Sequence, residues 1–332
     1  MRIEHDVSFK DLTTFKVGGT AKTVLRPESQ EELCAAISKI DDYVILGGGS
    51  NVLAPDDGYG GTIIIPSFAA ITEKEDGTQV LITAEAGVSW DDVVRFAAER
   101  ELWGIENLSG IPGTVGGAVF QNIGAYGAAL SDTVVHVTAY HTKENRVHEL
   151  SKDACRLGYR TSLFKEAAGE WAILSATFAL SKKPAPNLGY RDLAQRFGAE
   201  SPGLSEVRAA VLAIRAKKFP DLAHYGTAGS FFLNPVVSED EAQNFKARFP
   251  DMPLFALPEG GVKIPLAWIL DNVIDAKGLR IGGAFVWHEQ ALVIATEPGA
   301  AAHDVRALQE EIQKKVFEQT QLKIFPEVRF LS

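Results

Sequence analysis

Seven glycines fall within one 24-residue stretch, Gly104 to Gly127, and this density limits what the stretch can fold into. Each glycine inside a helix or strand costs roughly 0.5–1 kcal/mol relative to alanine. A chain keeps so many where its backbone must take positive φ or come close to a ligand. We therefore expect a buried or half-buried turn that presents backbone N–H groups, as pyrophosphate-binding loops do. A glycine-lined packing corner explains the stretch equally well.

Another glycine cluster, residues 47–51 with the sequence GGGSN, follows the apolar run 43–46. In chain order, residues 47–51 are the first glycine cluster and residues 104–127 are the second. It does not fit the Rossmann fingerprint, because a proline- and glycine-containing loop follows it instead of a helix. The next apolar run, 62–66, also ends without the required acidic residue. A P-loop is excluded as well, since the chain lacks the pattern GxxxxGK(S/T). Two separate glycine-rich anion loops remain as the interpretation.

Composition narrows the range of partners. The chain has 33 Lys and Arg against 43 Asp and Glu, a net charge of −10, and no basic run, which argues against nucleic acid and membrane surfaces. Cys34 and Cys155 are too few for a disulfide framework or a four-thiolate metal site. The seven histidines show no ligand spacing, so we predict no metal. No signal peptide or membrane span is apparent, and we expect a cytoplasmic protein.

The periodicity of the remaining sequence predicts an α+β chain. Serines followed three residues later by an acid should begin helices at Ser29, Ser89 and Ser238. Residues 302–320 form a long amphipathic helix by their apolar spacing. The pattern changes near residues 217–220, which suggests a boundary between an N-terminal region with both glycine clusters and a smaller second unit.

Five motifs then occur in order along the chain: GGGSNVL, SGIPGTVGGAVFQNIGAYG, GYRTSLFK, AGSFFLNP and PEVRF. Together they resemble the UDP-N-acetylenolpyruvoylglucosamine reductase (MurB) family of bacterial cell-wall synthesis, over residues 13–330. The resemblance implies an α+β fold with a two-subdomain FAD-binding part of the PCMH/vanillyl-alcohol-oxidase type. It implies FAD-binding subdomains at residues 1–66 and 67–205. Residues 206–332 would be a separate substrate-binding domain whose tail returns a glutamate to the active site.

The resemblance also implies an activity. NADPH would reduce bound FAD, and the enolpyruvyl UDP-sugar would be reduced to UDP-N-acetylmuramate for peptidoglycan synthesis in the cytoplasm. The partners would be the UDP-sugar and NADPH, and the family favours a monomer. One alternative is a flavin oxidase of the same FAD-binding class, although no histidine lies in or beside the glycine clusters to tether a flavin. Another is a regulatory protein that binds a flavin or nucleotide sugar without turnover.

Three residues match the catalytic residues of the family. Arg160 would stabilise the enolate that forms when hydride reaches the substrate, and one well-aimed donor contributes roughly 2.7–4 kcal/mol. Ser230 would donate the proton, which is feasible because the enolate is strongly basic. Glu327 would orient a donor or assist protonation if it keeps its own proton. Without the resemblance, these residues would be interpreted as a surface arginine, a turn cap and an edge-strand glutamate.

Other matches are binding residues. Backbone N–H groups of the glycine clusters can neutralise the two phosphates of FAD without a basic cluster. The residues expected to bind FAD are Gly47, Gly48, Gly49, Ser50, Asn51, Ser109, Gly110, Ile111, Pro112, Gly113, Thr114, Gly116, Gly117, Asn122, Gly124, Ala125, Tyr126 and Gly127. Those expected to bind substrate are Tyr190, Lys218, Asn234 and Gln290. Tyr190 matches the branch of the family with a tyrosine loop, and Lys217 is the alternative to Lys218 as the diphosphate contact.

Overall fold

The computed structural model describes residues 1–257 and 260–332. The chain divides into two compact units. The first comprises Met1–Val7, Ala21–Gly49 and Gly60–Ala216, and the second comprises Ser8–Thr20, Ser50–Tyr59 and Lys217–Ser332. Each unit mixes helices with mainly antiparallel strands, as the α+β prediction requires.

The helices and strands below carry labels in chain order. The helices are α1 (Phe9–Leu12), α2 (Gln30–Ile37), α3 (Trp90–Ala98), α4 (Val115–Gln121), α5 (Leu163–Glu166), α6 (Arg191–Phe197), α7 (Leu204–Lys218), α8 (Glu239–Arg248), α9 (Leu266–Asn272) and α10 (Ala302–Thr320). The strands are β1 (Arg2–Ser8), β2 (Thr20–Arg26), β3 (Tyr43–Ile45), β4 (Val52–Leu53), β5 (Tyr59–Ile64), β6 (Ile71–Asp76), β7 (Gln79–Glu85), β8 (Gly124–Ala125), β9 (Ala128–Ala129), β10 (Val134–His141), β11 (Arg146–Ser151), β12 (Trp171–Ser181), β13 (Gly226–Ser230), β14 (Val236–Val237), β15 (Phe255–Ala256), β16 (Val262–Lys263), β17 (Arg280–Ile281), β18 (Ala284–Val286), β19 (Val293–Thr296) and β20 (Arg329–Phe330).

The first unit contains two sheets of four or more strands. Four strands run in the order β1-β2-β5-β3, with β3 parallel to β5. Five antiparallel strands run in the order β11-β10-β12-β7-β6. Central strand β12 is buried along most of its length, because it carries apolar side chains toward both faces. Trp90 of α3 packs edge-on against Phe178 of β12, with ring centroids 5.5 Å apart, and fixes α3 on this sheet.

Within residues 8–20, 50–59, 217–257 and 260–332, the second unit contains sheets of four, three and two strands and the long helix α10. Its strands run in the orders β13-β19-β18-β17 and β14-β16-β15, and β4 pairs in parallel with β20. The apolar face of α10 is fully buried, at Val305, Leu308, Ile312 and Val316, which confirms the predicted helix at 302–320. The first turn of α10 is capped from a distance, since the Asp56 carboxylate accepts hydrogen bonds from its backbone N–H groups.

Helices begin directly after all three predicted serines, Ser29, Ser89 and Ser238, but only two of these serines cap their helix through the side chain. Ser29 and Ser238 accept hydrogen bonds from the third residue of α2 and α8, as capping serines do. Ser89 does precede α3, but its hydroxyl makes no cap hydrogen bond. Asp92, the expected partner of Ser89, instead pairs with Arg95 at 2.8 Å.

The glycine-rich stretch 104–127 contains helix α4, which the turn prediction missed. Apolar residues recur there at helical spacing, and Val115, Ala118 and Val119 are all buried. Their packing outweighs the poor helix propensity of the neighbouring glycines. A Cβ on Gly116 would lie 3.2 Å from the Ala86 side chain, so this close helix–strand contact also favours glycine.

No helix in the described ranges 1–257 and 260–332 is both long enough and apolar enough to cross a bilayer.

Candidate active site

The two glycine clusters meet inside the first unit. A Cβ on Gly48 would lie 2.7 Å from the Cα of Gly113, and one on Gly47 would lie 2.6 Å from Oγ1 of Thr114. Cβ atoms do not come this close to other heavy atoms, so only glycine allows the two segments to approach. Close packing therefore explains the glycines at positions 47 and 48, as the packing-corner interpretation expects.

The same corner also presents hydrogen-bond donors. The backbone N–H groups of Gly47, Gly48 and Gly113 donate to no acceptor within the described part of the chain. Such donors, brought together from two segments, are available to the oxygens of an anionic ligand. A cradle of backbone N–H groups that any side chain would fill fits a pyrophosphate, and it therefore fits FAD.

Both backbone hydrogen-bonding groups of Gly110, in the second glycine cluster, are bonded to side chains. Its N–H donates to Oδ1 of Asp91 at 2.6 Å, and its carbonyl accepts from Nε of Arg215 at 3.0 Å. Arg208 binds both oxygens of Asp91 at 2.7 Å. We call Asp91, Arg208 and Arg215 the Gly110 clamp. The clamp fixes the backbone of the predicted flavin loop against helices α3 and α7.

Burial and nearby charges shift the pKa values of Asp91 and Arg215 in the clamp and of the neighbouring Tyr126. Burial works to raise the pKa of Asp91, but hydrogen bonds from Arg208 and Gly110 and the charge of Arg208 outweigh it, and the pKa is lowered. Burial lowers the pKa of Arg215. Burial also raises the pKa of Tyr126 to about 12. At neutral pH the clamp is therefore an ion pair beside an uncharged phenol.

Arg160 lies against the second glycine cluster in the first unit. Its Nη2 donates to the carbonyl oxygen of Gly124 at 3.0 Å, and its own carbonyl accepts from Nζ of Lys165 at 2.9 Å. Its backbone has φ of 55°, a left-handed conformation that costs energy in a non-glycine residue. The structure thus brings predicted catalytic and flavin-loop residues together here.

Ser230 ends strand β13 of the second unit, directly after a β-bulge. The register of β13 against β19 shifts between Thr227 and Ser230, and Gly229 has φ of 76°. The N–H of Gly229 donates to Oγ1 of Thr227 at 3.1 Å, which stabilises the bulge. Bulges change the direction of the side chains that follow them. The half-buried Ser230 is thus the residue that directly follows the bulge.

Glu327 lies beside the segment that carries Ser230, within the second unit. Its N–H donates to the carbonyl of Phe231 at 2.8 Å, and its carbonyl accepts from Nδ2 of Asn51 at 3.2 Å. The carbonyl of Asn51 accepts in turn from the N–H of Arg329. The tail residue Glu327 is thus held between Phe231, the residue after Ser230, and Asn51, a residue of the first glycine cluster.

The predicted substrate residues occupy separate elements. Tyr190 immediately precedes α6 in the first unit, and its ring lies edge-on to that of Tyr126, with centroids 5.2 Å apart. Lys218 ends α7 and is half-buried, whereas Lys217 is exposed.

In the second unit, Oδ1 of Asn234 accepts from the N–H of Leu266 at 3.0 Å and caps helix α9. Gln290 accepts from the N–H of Val293 in the β18–β19 connection. The ring of Trp287 packs against those of Tyr225 and His288.

No group of three or more His, Cys, Asp or Glu side chains among residues 1–257 and 260–332 has an arrangement that could hold a metal ion.

The sequence interpretation missed the Gly110 clamp and two asparagines, Asn107 and Asn187, that contact the second glycine cluster. Arg208 and Arg215 are seven residues apart, two helical turns, and this spacing was a usable signal for one basic face on α7. Asp91 carried no signal of its own, because an acid in the first turn of a helix is common.

Two family models match the chain. One, described as an FAD binding domain, matches residues 21–151. The other, described as the C-terminal domain of UDP-N-acetylenolpyruvoylglucosamine reductase, matches residues 221–331. With the α+β content of both units, these matches confirm the predicted fold class: an FAD-binding part followed by a separate C-terminal domain.

Relatives align over nearly the whole chain. A UDP-N-acetylenolpyruvoylglucosamine reductase of Neisseria meningitidis serogroup B is 40% identical and covers 99% of this chain and 97% of the relative. The protein of that name from Pseudomonas aeruginosa is 35% identical and covers 98% of each. The crystal structure of UDP-N-acetylenolpyruvylglucosamine reductase (MurB) from Thermus caldophilus matches with a TM-score of 0.71, 25% identity and complete coverage of both chains.

Proposed function

The chain belongs to the UDP-N-acetylenolpyruvoylglucosamine reductase (MurB) family of FAD-dependent oxidoreductases, and from this premise we propose its reaction. It reduces UDP-N-acetylenolpyruvoylglucosamine to UDP-N-acetylmuramate, with NADPH as the source of electrons. The product is a peptidoglycan precursor, and the proposal includes a cytoplasmic, monomeric enzyme. It also includes the division of the FAD-binding part into two subdomains, with the boundary between residues 66 and 67.

The observation that carries the proposal is the approach of Gly48 to Gly113. Two glycine clusters that are distant in sequence form one corner, and it is lined by N–H groups that find no acceptor among residues 1–257 and 260–332. The donors are uncharged, so the corner suits the pyrophosphate of a dinucleotide in a chain whose net charge is −10. The match of residues 21–151 to an FAD binding domain names that dinucleotide.

The two glycine clusters would hold FAD, which would supply hydride chemistry at the enolpyruvyl carbon with NADPH as the source of electrons. The residues of the chain stabilise the negative charge that develops on the substrate and then protonate it. The hydrogen bond from Nη2 of Arg160 to the Gly124 carbonyl orients the guanidinium, which makes it a preorganised cation for the carboxylate of the enolate. Such a cation need not reorganise during the reaction, and this is the source of its effect on the rate.

Ser230 then supplies the proton to the enolate carbon. Its hydroxyl is a weak acid, but the transfer is downhill because a carbanion-like enolate is more basic than an alkoxide. Glu327 acts next to it, as a group that orients the donor or returns a proton to it. The bulge at Gly229 and the hydrogen bond from Glu327 to Phe231 support this pairing of roles.

The remaining contacts bind the nucleotide sugar. Lys218 meets the diphosphate in preference to Lys217, since a half-buried lysine at a helix end is the better positioned of the two. Tyr190 covers the substrate, and Asn234 and Gln290 complete the set from the second unit.

An anaerobic absorbance titration of the purified protein tests the whole proposal. The protein is loaded with FAD, its visible band is bleached with NADPH, and UDP-N-acetylenolpyruvoylglucosamine is then added. We expect the oxidised band to return with one equivalent of substrate. A protein that bleaches but recovers only with oxygen is an oxidase, and one that cannot be loaded with FAD contradicts the interpretation of the glycine corner.

A further inference from the structure

Two asparagine side chains join the turn Tyr126–Gly127 of the second glycine cluster to the segment 187–190, which ends at Tyr190. The Nδ2 group of Asn107 donates to the carbonyls of Tyr126 and Asn187, both at 2.8 Å. The Nδ2 group of Asn187 donates to the carbonyl of Gly127 at 2.9 Å. These three hydrogen bonds hold the two segments together, and we call them the asparagine latch.

The two N–H donors of the Asn107 amide explain why an asparagine is needed at this position. Asn107 is 1% exposed, and both N–H bonds of its amide are used in the latch. Its Oδ1 is buried without a hydrogen-bond partner in the described part of the chain, which is a cost to the folded state. An aspartate or leucine of similar size supplies no donors, so the latch requires an amide or a comparable donor at this position.

The latch fixes the position of Tyr190. Leu188, between the latch and Tyr190, packs in an apolar cluster with Tyr126 and with Leu193 of α6. Three residues after Asn187, the ring of Tyr190 meets the ring of Tyr126 at 85°. Tyr126 and Gly127 have φ of 49° and 83°, so their turn has an unusual left-handed backbone. The amides of the latch bind the carbonyl groups of these two residues.

We propose that Asn107 and Asn187 are positioning residues that hold the Tyr190 segment on the flavin loop. The proposal rests on the proposed function, in which Tyr190 contacts the substrate. One turn then serves two ligands, because Tyr126 and Gly127 belong to the predicted FAD site and also anchor the segment that covers the sugar nucleotide. Loosening the latch should weaken substrate binding while leaving FAD binding and the chemical step intact.

Asn187→Ala and Asn187→Asp test the proposal. Asn187 is exposed, so neither change removes core packing, and aspartate keeps the shape while losing the donor. Loss of one hydrogen bond changes the equilibrium between the latched and the open segment by roughly two- to tenfold. In both variants we expect amide hydrogen exchange of residues 184–195 to rise by about that factor in the FAD-loaded protein. We expect the KM for UDP-N-acetylenolpyruvoylglucosamine to rise equally, with kcat and reduction by NADPH unchanged.

Thr142→Ala is the matched control. It removes another side-chain hydrogen bond to a backbone carbonyl of the first unit, that of Gly169, and should change neither readout. Unchanged exchange over residues 184–195 in both Asn187 variants overturns the latch. So does a fall in kcat, or weaker FAD binding, without a change in KM. Hydrogen exchange needs no turnover, so it decides the latch even if the wild-type protein does not reduce the proposed substrate.

Discussion

The N–H of Glu327 donates a hydrogen bond to the carbonyl oxygen of Phe231 at 2.8 Å. Phe231 directly follows Ser230, so the tail of the chain and the end of β13 are bonded at the point where two proposed catalytic groups lie. Nearly one hundred residues separate Ser230 from Glu327 in sequence. Their association is a property of the fold of the second unit, and it supports a shared role in proton delivery.

Ser230→Ala should separate the two halves of the reaction. Without the hydroxyl, the enolate has lost its proton donor, and general acid catalysis of this kind contributes roughly 10²–10⁴-fold. We expect flavin reoxidation by the enolpyruvyl substrate to slow by that factor in stopped-flow measurements. Reduction of the flavin by NADPH should be nearly unchanged, and equal slowing of both halves would exclude Ser230 as the proton donor.

Arg160→Lys should lower activity by roughly two to three orders of magnitude with FAD still bound. Lysine keeps the positive charge but loses the planar fork that can hold Gly124 and a substrate carboxylate at once. Steady-state kinetics with a parallel measurement of the flavin-to-protein ratio checks this. If the variant is purified without flavin and cannot be reloaded, the role of Arg160 is to hold the cofactor.

Features set by local sequence were the ones that could be predicted. Helix α10 follows from the spacing of Val305, Leu308, Ile312 and Val316, and the capped start of α8 follows from Ser238 with Glu241. Both depend on residues within a few turns of one another, where periodicity and capping rules apply directly.

Features made by distant residues could not be predicted. The Gly110 clamp joins Asp91 to Arg208, more than one hundred residues later, and no local pattern pairs two such charges. Helix α4 was hidden for a related reason, since its stability comes from packing that outweighs the glycines in its sequence. The site residues were indicated only by the resemblance of five motifs to a family, because no local pattern marks Arg160, Ser230 or Glu327 as catalytic.

Gly48→Ala should weaken FAD binding by at least tenfold. The added Cβ would meet the Cα of Gly113 at 2.7 Å, and backbone cannot move aside as a flexible side chain can. The two glycine clusters must then separate, which disperses the N–H donors. Fluorescence titration of the apoprotein with FAD measures the effect.

Gly60→Ala is the matched control for this substitution. A Cβ at Gly60, in strand β5 of the same unit, would meet no atom of the described residues within 4 Å. It should leave FAD affinity and thermal stability close to those of the wild type. Tight FAD binding by Gly48→Ala would contradict the proposed cradle.

Cys155 should resist alkylation in the folded protein. Its side chain is fully buried, and burial raises the pKa of its thiol to about 11. Only the thiolate reacts, so at pH 8 both access and ionisation limit the rate. Mass spectrometry after iodoacetamide treatment should find Cys155 unmodified in buffer and modified in urea. Rapid labelling in buffer would show that this part of the first unit opens readily.

Asp91→Asn should destabilise the protein at neutral pH. Hydrogen bonds to charged groups contribute roughly 1.5–3 kcal/mol, and the carboxylate is 35% exposed, so we discount this to about 1–2 kcal/mol. The midpoint of urea unfolding measures the change. Asp92→Asn is the matched control, because Asp92 is 50% exposed and its pair with Arg95 should contribute little.

The effect of Asp91→Asn should also depend on pH in a defined direction. The pKa of Asp91 is lowered in the folded state, so the unfolded state takes up the proton first as pH falls. The stabilisation is complete above the unfolded pKa of about 3.9 and disappears as pH falls through the lower folded pKa. The midpoints of wild type and variant should therefore differ at pH 7 and converge toward pH 3. A difference that stays constant over this range would mean that the carboxylate charge contributes nothing, and that Asp91 acts only by its shape.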